Sequence, residues 1–202
     1  MIKEIEYNEV FDAQEHFRTL MDAFSRPGTL HSLKTVEVNL PEGLYPAAAY
    51  VALSLMNTDV TCAVHLPNEK EVKAYLSINT NVGFEPVGEA NFLLTSGDAD
   101  SQLIDSVYEG DPGYPETSGF VILQVAQLSN EEINGGIGIS LSGPGIQTTQ
   151  PLYITGITSE VLAAIQFKNS EYPLGVEIIL CANDGMISVI PRSSKITNLK
   201  ND

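Results

Sequence analysis

The 202-residue sequence has no tryptophan, two cysteines, three histidines and only ten lysines and arginines, against 26 aspartates and glutamates. The formal net charge of −16 argues against a direct nucleic-acid binder, because such proteins neutralise phosphates with basic side chains. An acidic membrane surface would also repel this chain. Solubility, or association with a basic protein partner, accounts for the charge better.

Long hydrophobic runs and export signals are missing as well. The longest apolar run, residues 47–56, is about half the ~20 residues that a membrane-spanning helix needs. Residues 1–10 lack the apolar centre of a secretory signal, so the sequence predicts a cytoplasmic protein. Cys62 and Cys181 each lie in an apolar run, which favours two small core residues over a disulfide or a redox site.

Signatures of metal, nucleotide or covalent chemistry are scarce. None of His16, His31 and His65 has other ligand-type residues at metal-binding spacing, so no metal site is predicted. The Walker lysine, the dinucleotide-binding spacing and the G-x-S-x-G nucleophile motif are absent. We therefore expect no cofactor and no catalytic residue.

Apolar residues make up 43% of the chain, enough for a substantial core. The expected organisation is one α/β domain over residues 1–195 and a C-terminal tail over 196–202, for which disorder is an open alternative. The pattern predicts a mixed central sheet with helices packed on it. Helices are predicted at residues 9–25, 47–56, 68–77, 99–108 and 158–168, and strands at 60–66, 91–95, 120–126, 137–141, 176–181 and 186–190, the last two joined as a hairpin.

The first predicted helix has the clearest periodicity. Asn8 is the expected N-cap, and the segment Ser25-Arg26-Pro27-Gly28 ends the helix. Six apolar residues recur at helical spacing and predict a single core-facing stripe: Val10, Ala13, Phe17, Leu20, Met21 and Phe24.

Two glycine-rich segments flank the strand predicted at 137–141. They are residues 134–138 and the Gly143-Pro144-Gly145 segment. Tight turns explain both segments. The functional alternative is that backbone amides near Gly143 and Gly145 approach an anion or a partner.

The three arginines, Arg18, Arg26 and Arg192, are candidates for ligand or partner binding. A planar guanidinium can grip a carboxylate or phosphonate through two hydrogen bonds. Convergence of all three would create one positive spot in an acidic chain. The alternative is that each arginine is structural: Arg18 as a surface partner of Asp22, Arg26 at the helix C-terminus and Arg192 at a strand end.

Six segments between about residues 12 and 195 form an ordered set of motifs that includes all three arginines. The segments are residues 16–28 (H-F-R-T-L-M-D-A-F-S-R-P-G), 89–92 (E-A-N-F), 114–116 (Y-P-E) before the strand at 121–125, 141–146 (L-S-G-P-G-I), 172–180 (Y-P-L-G-V-E-I-I-L) and 190–194 (I-P-R-S-S). In this order, the segments resemble signatures of the PhnH family, the H subunits of carbon–phosphorus lyase.

The resemblance implies an α/β fold like a reduced pyridoxal-phosphate-dependent transferase domain that has lost its cofactor site. It also implies a homodimer that assembles with the G, I and J subunits of carbon–phosphorus lyase. Together with the L subunit, that complex transfers a phosphonate to the ribose of a nucleoside triphosphate, and an iron–sulfur protein later cleaves the carbon–phosphorus bond. The H subunits have no chemical step of their own in this scheme, so we expect an accessory subunit.

The chain also departs from the family pattern. Ser77 and Asn79 stand where many relatives have arginine and histidine, and Glu177 replaces an aspartate. Two other functions therefore remain alternatives: a free-standing protein that binds a small molecule or anion, and an active pyridoxal-phosphate transferase. The transferase would need a buried lysine near an aspartate, a setting that the sequence does not display.

Overall fold

The computed structural model describes residues 6–199, which form five α-helices, one 3₁₀ turn at Pro115–Thr117 and eleven strands. The helices are α1 (Phe11–Ser25), α2 (Pro46–Leu55), α3 (Glu69–Thr80), α4 (Gln102–Ser106) and α5 (Ser159–Lys168). The strands are β1 (His31–Ser32), β2 (Thr61–His65), β3 (Gly83–Phe84), β4 (Phe92–Ser96), β5 (Phe120–Val125), β6 (Gln127–Ser129), β7 (Ile137–Ser142), β8 (Gln150–Thr155), β9 (Glu177–Ala182), β10 (Met186–Ile190) and β11 (Lys195–Asn198).

Seven strands form the central sheet, in the order β1-β10-β9-β5-β4-β2-β3. Strands β3, β2, β4, β5 and β9 run parallel, whereas β10 and β1 are antiparallel to their neighbours. The predicted mixed sheet is confirmed, and so is the closing hairpin of β9 and β10. Strands of this sheet are covered on both faces, which explains their nearly continuous apolar sequences.

Alternate residues along the central strands enter two different cores. Leu94, Ile122 and Ile179 pack with α1, α2 and α3 on one face. Their sequence neighbours Val121 and Ile178 pack on the other face, where α4, α5 and a second sheet lie. Because successive side chains of a strand point to opposite faces, the same strands supply apolar residues to both cores.

The second sheet has four antiparallel strands in the order β11-β7-β8-β6. Of these, only β7 was predicted from the sequence. Strand β11 pairs with β7 from Lys195 to Asn198, so the sheet continues past the boundary expected at residue 195. The last part of the expected tail, residues 200–202, lies outside the described residues.

Helix α1 is rotated relative to the prediction. Its buried residues are Asp12, His16, Leu20 and Ala23, while Phe17 is 46% exposed and Met21 is 53% exposed. The single core-facing stripe is therefore wrong for half of its members. The helix begins at Phe11, and Asn8 accepts hydrogen bonds from the backbone N–H groups of Val10 and Phe11 through its side chain just before that start.

The reason for the rotation is a polar anchor on the buried side of α1. The imidazole of His16 is fully buried, stacks on Tyr50 at 4.8 Å between ring centres and lies 3.2 Å from the Tyr7 hydroxyl through Nδ1. Its Nε2 donates to the carbonyl of Lys34 at 2.8 Å, because that oxygen can only accept. Asp12 pairs with the Lys34 ammonium at 2.9 Å, so the first turns of α1 are fixed by polar contacts.

The cysteine prediction is confirmed. Cys62 and Cys181 are free thiols, both buried in the helix-covered core. Burial raises the pKa of the Cys62 thiol to about 12, and it raises the pKa of the Cys181 thiol as well. Both therefore stay protonated and behave as small apolar residues.

Candidate functional site

A largely apolar cleft of about 540 Å³ opens beside α1. Three segments that are distant in sequence meet there: the end of α1, the turn after β7 and the segment after β10. We call this feature the apolar cleft; it is lined by Phe17, Leu20, Met21, Phe24, Ser25, Leu55, Phe92, Phe120, Pro144, Gly145, Glu177, Pro191 and Ser193.

Aromatic rings form one wall of the apolar cleft. Phe92 and Phe120 are the first residues of β4 and β5 and are paired in register, so their rings stack at 5.4 Å. Phe24 meets the Phe120 ring edge-on at 6.3 Å and 73°. Both geometries are favourable for aromatic pairs, and this wall is therefore held in shape before anything binds.

The glycine-rich turn after β7 closes one end of the apolar cleft. Gly145 has φ +80°, and a Cβ at this position would collide with the carbonyl oxygen of Ser25 at the end of α1. Gly143 has φ +138°, and a Cβ there would lie 2.8 Å from the Ser193 carbonyl oxygen. These glycines let the turn lie against both neighbouring backbones, which accounts for them structurally. Their role in binding stays a prediction.

Glu177 is the charged residue in the lining of the apolar cleft, and it is paired with Arg192 behind it. The Nε of Arg192 lies 3.3 Å from one carboxylate oxygen of Glu177, and the Arg192 backbone N–H donates to the other oxygen at 3.2 Å. The guanidinium also donates to the Ser118 hydroxyl at 2.6 Å and to the Pro115 carbonyl. Burial raises the pKa of the Glu177 carboxyl, and the contacts with Arg192 oppose that rise.

The other two arginines lie at or near the end of α1. Arg26 is the C-cap residue of α1, in agreement with the structural role predicted for it at the helix C-terminus. Its guanidinium pairs with Asp22 one turn earlier. The hydrogen bond from Arg26 lowers the pKa of the Asp22 carboxyl. Arg18 is exposed, and Asp22, the partner expected for it, is the partner of Arg26. None of the three arginine side chains lines the apolar cleft.

A second, more polar cleft of about 480 Å³ lies next to the first and shares Ser193 with it. Ser194 is 2% exposed, and its hydroxyl has no hydrogen-bond partner among residues 6–199. Ser77 and Asn79, the departures from the family pattern, line neither cleft. The polar cleft is lined by Gln166, Asn169, Ser170, Tyr172, Arg192, Ser193, Ser194, Lys195 and Ile196.

The apolar cleft was not predicted from the sequence, although three of the segments around it contain motifs that the sequence displays. The motifs containing Ser25, Gly145 and Pro191 do meet there. The partnership of Glu177 with Arg192 and the exposure of Phe17 and Met21 were not foreseen. A usable signal was the polar pair Asp12 and His16 on the opposite side of α1, since burying those residues turns the apolar stripe outward.

Two further features are missing from the described part of the chain, namely a metal-binding cluster and a membrane-spanning helix. Within residues 6–199, no three histidine, cysteine, aspartate or glutamate side chains gather as a metal site would require. None of the helices in that range combines the length and apolarity needed to cross a membrane.

Comparisons with known proteins agree with the resemblance seen in the motifs. Residues 6–197 match the family described as bacterial phosphonate metabolism protein (PhnH). The chain is 27% identical over 189 residues to the alpha-D-ribose 1-methylphosphonate 5-triphosphate synthase subunit PhnH of Rhizobium meliloti (strain 1021), covering 93% of this chain and 91% of that protein. It is 31% identical over 188 residues to the putative C-P lyase subunit protein HtxG of Stutzerimonas stutzeri, covering 93% and 86%. The chain therefore belongs to the PhnH family of bacterial phosphonate metabolism proteins.

Proposed function

We propose that this protein is an accessory subunit of a carbon–phosphorus lyase core complex and supports phosphonate breakdown without a chemical step of its own. The observation that carries the proposal is the family match, which extends from residue 6 to residue 197. Both curated relatives are named as subunits, one of a synthase and one of a C-P lyase. In the proposed complex, partner subunits transfer the phosphonate to ribose and later cleave the carbon–phosphorus bond.

The geometry of the apolar cleft supports an accessory role. Glu177 is the ionisable residue in its lining, and its carboxylate is held by Arg192. A general base should be within reach of a substrate proton and have a pKa near the working pH. A mostly buried carboxylate that is engaged by a guanidinium and a backbone N–H is better explained as a structural ion pair.

The assembly that we propose has several parts. The protein forms a homodimer in the cytoplasm and binds the G, I and J subunits through surfaces that include Arg18, Arg26, Arg192, Gly143 and Gly145. One α/β domain carries all of these residues. In this proposal, its fold resembles a reduced pyridoxal-phosphate-dependent transferase domain without the cofactor site.

Co-expression with the cognate G, I and J subunits tests the assignment. Affinity purification through a tag on the I subunit should recover this chain in a fixed ratio to the other three. Multi-angle light scattering of the isolated chain at micromolar concentration should give the mass of a dimer. Absence of the chain from the purified complex would contradict the subunit role, and a clean monomer would contradict the dimer.

A free-standing anion-binding protein is the second candidate, and the polar cleft is the observation that favours it. Arg192 and Lys195 lie in its lining, together with amide and hydroxyl side chains that can donate hydrogen bonds to an anion. Calorimetric titration with methylphosphonate decides between the two functions. Tight binding by a protein that does not join the G, I and J subunits would favour the free-standing function.

An active pyridoxal-phosphate transferase is the weaker alternative. Such an enzyme forms a Schiff base between a lysine and the cofactor. Addition of pyridoxal phosphate followed by an absorbance scan tests it directly. A visible Schiff-base band that disappears after a single lysine substitution would support the transferase, whereas an unchanged cofactor spectrum would exclude it.

A further inference from the structure

The apolar cleft combines a dense aromatic lining with a single carboxylate. Four of the chain's seven phenylalanines line it: Phe17, Phe24, Phe92 and Phe120. Its volume of about 540 Å³ lies within the ~300–1,000 Å³ range of small-molecule sites. Such sites are mainly apolar with a few fixed polar groups, so the lining of this cleft indicates which class of ligand it fits.

The apolar part of the lining favours a flat aromatic ligand. The rings of Phe92 and Phe120 stack on each other, and Phe24 meets Phe120 edge-on, so this wall is already ordered. Phe17 and Met21 lie on the exposed side of α1, where the fold leaves 46% and 53% of their surface uncovered. Aromatic rings pack favourably against phenylalanine, and a methionine sulfur also makes favourable contacts with them. An aromatic ring therefore gains more in this cleft than an aliphatic group of the same size.

The carboxylate of Glu177 specifies the polar groups that the ligand must carry. An ionised carboxylate only accepts hydrogen bonds, and each of its oxygens can accept two. Among residues 6–199, one oxygen of Glu177 lies 3.3 Å from Nε of Arg192, and the other accepts the Arg192 backbone N–H at 3.2 Å. Each oxygen therefore retains one acceptor position. Two adjacent N–H groups on the edge of a ring match the two oxygens of a carboxylate, as in other bidentate contacts.

The charges around the apolar cleft favour a neutral ligand. Within residues 6–199, no lysine, arginine or histidine lines this cleft, and the Glu177 carboxylate repels anions. A phosphate or phosphonate group is therefore disfavoured inside it. A cation is disfavoured as well, because the Arg192 guanidinium already balances Glu177 and an apolar environment removes the hydration of an ion. A neutral ring with N–H donors avoids both penalties.

We propose that the apolar cleft binds a neutral, planar heteroaromatic ring that presents two adjacent N–H donors to Glu177. The ring packs against the phenylalanine side chains, and its donors bind the two carboxylate oxygens. Guanine and pterin rings share the required edge, in which a ring N–H lies beside an exocyclic amino group. The inference goes beyond the proposed function, because a subunit role does not require a ligand in this cleft.

Calorimetric titration of the isolated full-length chain at neutral pH tests the proposal, with guanosine and pterin as the probes. Each probe has a matched analogue without the amino group: inosine for guanosine and lumazine for pterin. At least one of the two probes should bind at a single site, and its analogue should bind about tenfold more weakly, because one acceptor of the carboxylate then stays unpaired. Binding of guanosine alone assigns a purine ligand, and binding of pterin alone assigns a pteridine.

Substitutions in the lining locate the ligand. Phe17→Ser removes an aromatic face at an exposed position and should weaken binding by about tenfold or more, as for a base stacked on an aromatic side chain. Phe167→Ser on α5 is the matched control, because Phe167 is 77% exposed and does not line the apolar cleft. Glu177→Gln should remove the preference for the amino-bearing ring, since an amide offers one acceptor oxygen and one donor group. Melting temperatures are compared first, and Phe17→Ser keeps the test decisive if Glu177→Gln does not fold.

Three results would overturn the inference: no binding of guanosine or pterin at millimolar concentration, equal binding of each probe and its analogue, or binding that Phe17→Ser leaves unchanged. If neither probe binds and the G, I and J subunits shift the NMR signals of Phe17 and Met21, the cleft belongs to a protein partner instead. Failure to assemble with those subunits, with probe binding intact, contradicts the proposed function alone.

Discussion

At the scale of single residues, two neighbours on α1 have opposite environments although both are large and apolar. Leu20 is 1% exposed and packs among α1, α2 and the sheet, whereas Phe17 is 46% exposed beside the apolar cleft. Leu20→Ala should therefore cost about 2–5 kcal/mol of stability, the range for buried large-to-small changes. Phe17→Ala should cost clearly less. Urea denaturation measures both, and equal losses would show that α1 buries both residues.

The buried imidazole of His16 should make stability depend on pH. Burial lowers its pKa, although the Lys34 carbonyl and the Asp12 carboxylate oppose that shift. The neutral form therefore favours the folded state. The stabilising contribution of the neutral His16 imidazole is complete above about pH 6.5. It is lost as pH falls through the lowered pKa that His16 has in the folded protein.

Unfolding free energies measured between about pH 5 and 7 test the role of His16. His16→Gln should flatten the pH dependence in this interval while lowering stability at neutral pH, because a stacked and hydrogen-bonded ring is lost. His65→Gln is the control, since His65 is exposed. An unchanged slope in the His16 variant would mean that another group titrates.

The two paired arginines should differ in their importance for stability. Arg192→Gln leaves the Glu177 carboxylate mostly buried without its guanidinium, so we expect a loss on the order of 2 kcal/mol, below the ~3–5 kcal/mol for fully buried pairs. Arg26→Gln breaks an exposed pair and should change stability within experimental error. Thermal unfolding distinguishes the variants, and equal effects would contradict the different burial of the two pairs.

At the scale of secondary-structure elements, the position of the turn after β7 should depend on Gly145. Gly145→Ala would force a Cβ against the Ser25 carbonyl oxygen in addition to the strain of φ +80°. Gly135 is the matched control, with φ +73° and no atom within 4 Å of an added Cβ. Gly135→Ala should cost only the backbone strain, about 1–2 kcal/mol, and Gly145→Ala should cost more. Equal melting temperatures would mean that the turn moves away from α1.

The elements differ in how far the sequence determined them. Strands β5, β9 and β10 were predictable, because they are buried on both faces and therefore apolar throughout. Strands β6, β8 and β11 were missed, because they are only partly buried and β8 contains Pro151, which weakens a strand pattern.

The hydrophobic periodicity of α1 also could not predict which side of the helix faces the core. A hydrophobic stripe reports which side of a helix is apolar, and it cannot report whether the core or a partner covers that side. The buried contacts of His16 with Tyr7 and Lys34 decide the question here, and they join segments whose proximity the sequence does not reveal.

At the scale of the whole molecule, the candidate site is assembled from segments that lie far apart in the chain. Ser25, Gly145 and Pro191 meet only because α1 packs on β10 and the second sheet brings the β7 turn to the end of α1. Each of these residues lies in a segment that resembles a family motif. The apolar cleft between them could not be predicted, since its shape depends on the packing of Phe24, Phe92 and Phe120.

The central claim is that this chain is an accessory subunit of a multisubunit phosphonate-processing complex. The most direct measurement is native mass spectrometry of the chain co-expressed and purified with its cognate G, I and J subunits. We expect an intact assembly that contains all four proteins. An assembly of the other three subunits that forms fully without this chain, and never includes it, would contradict the account.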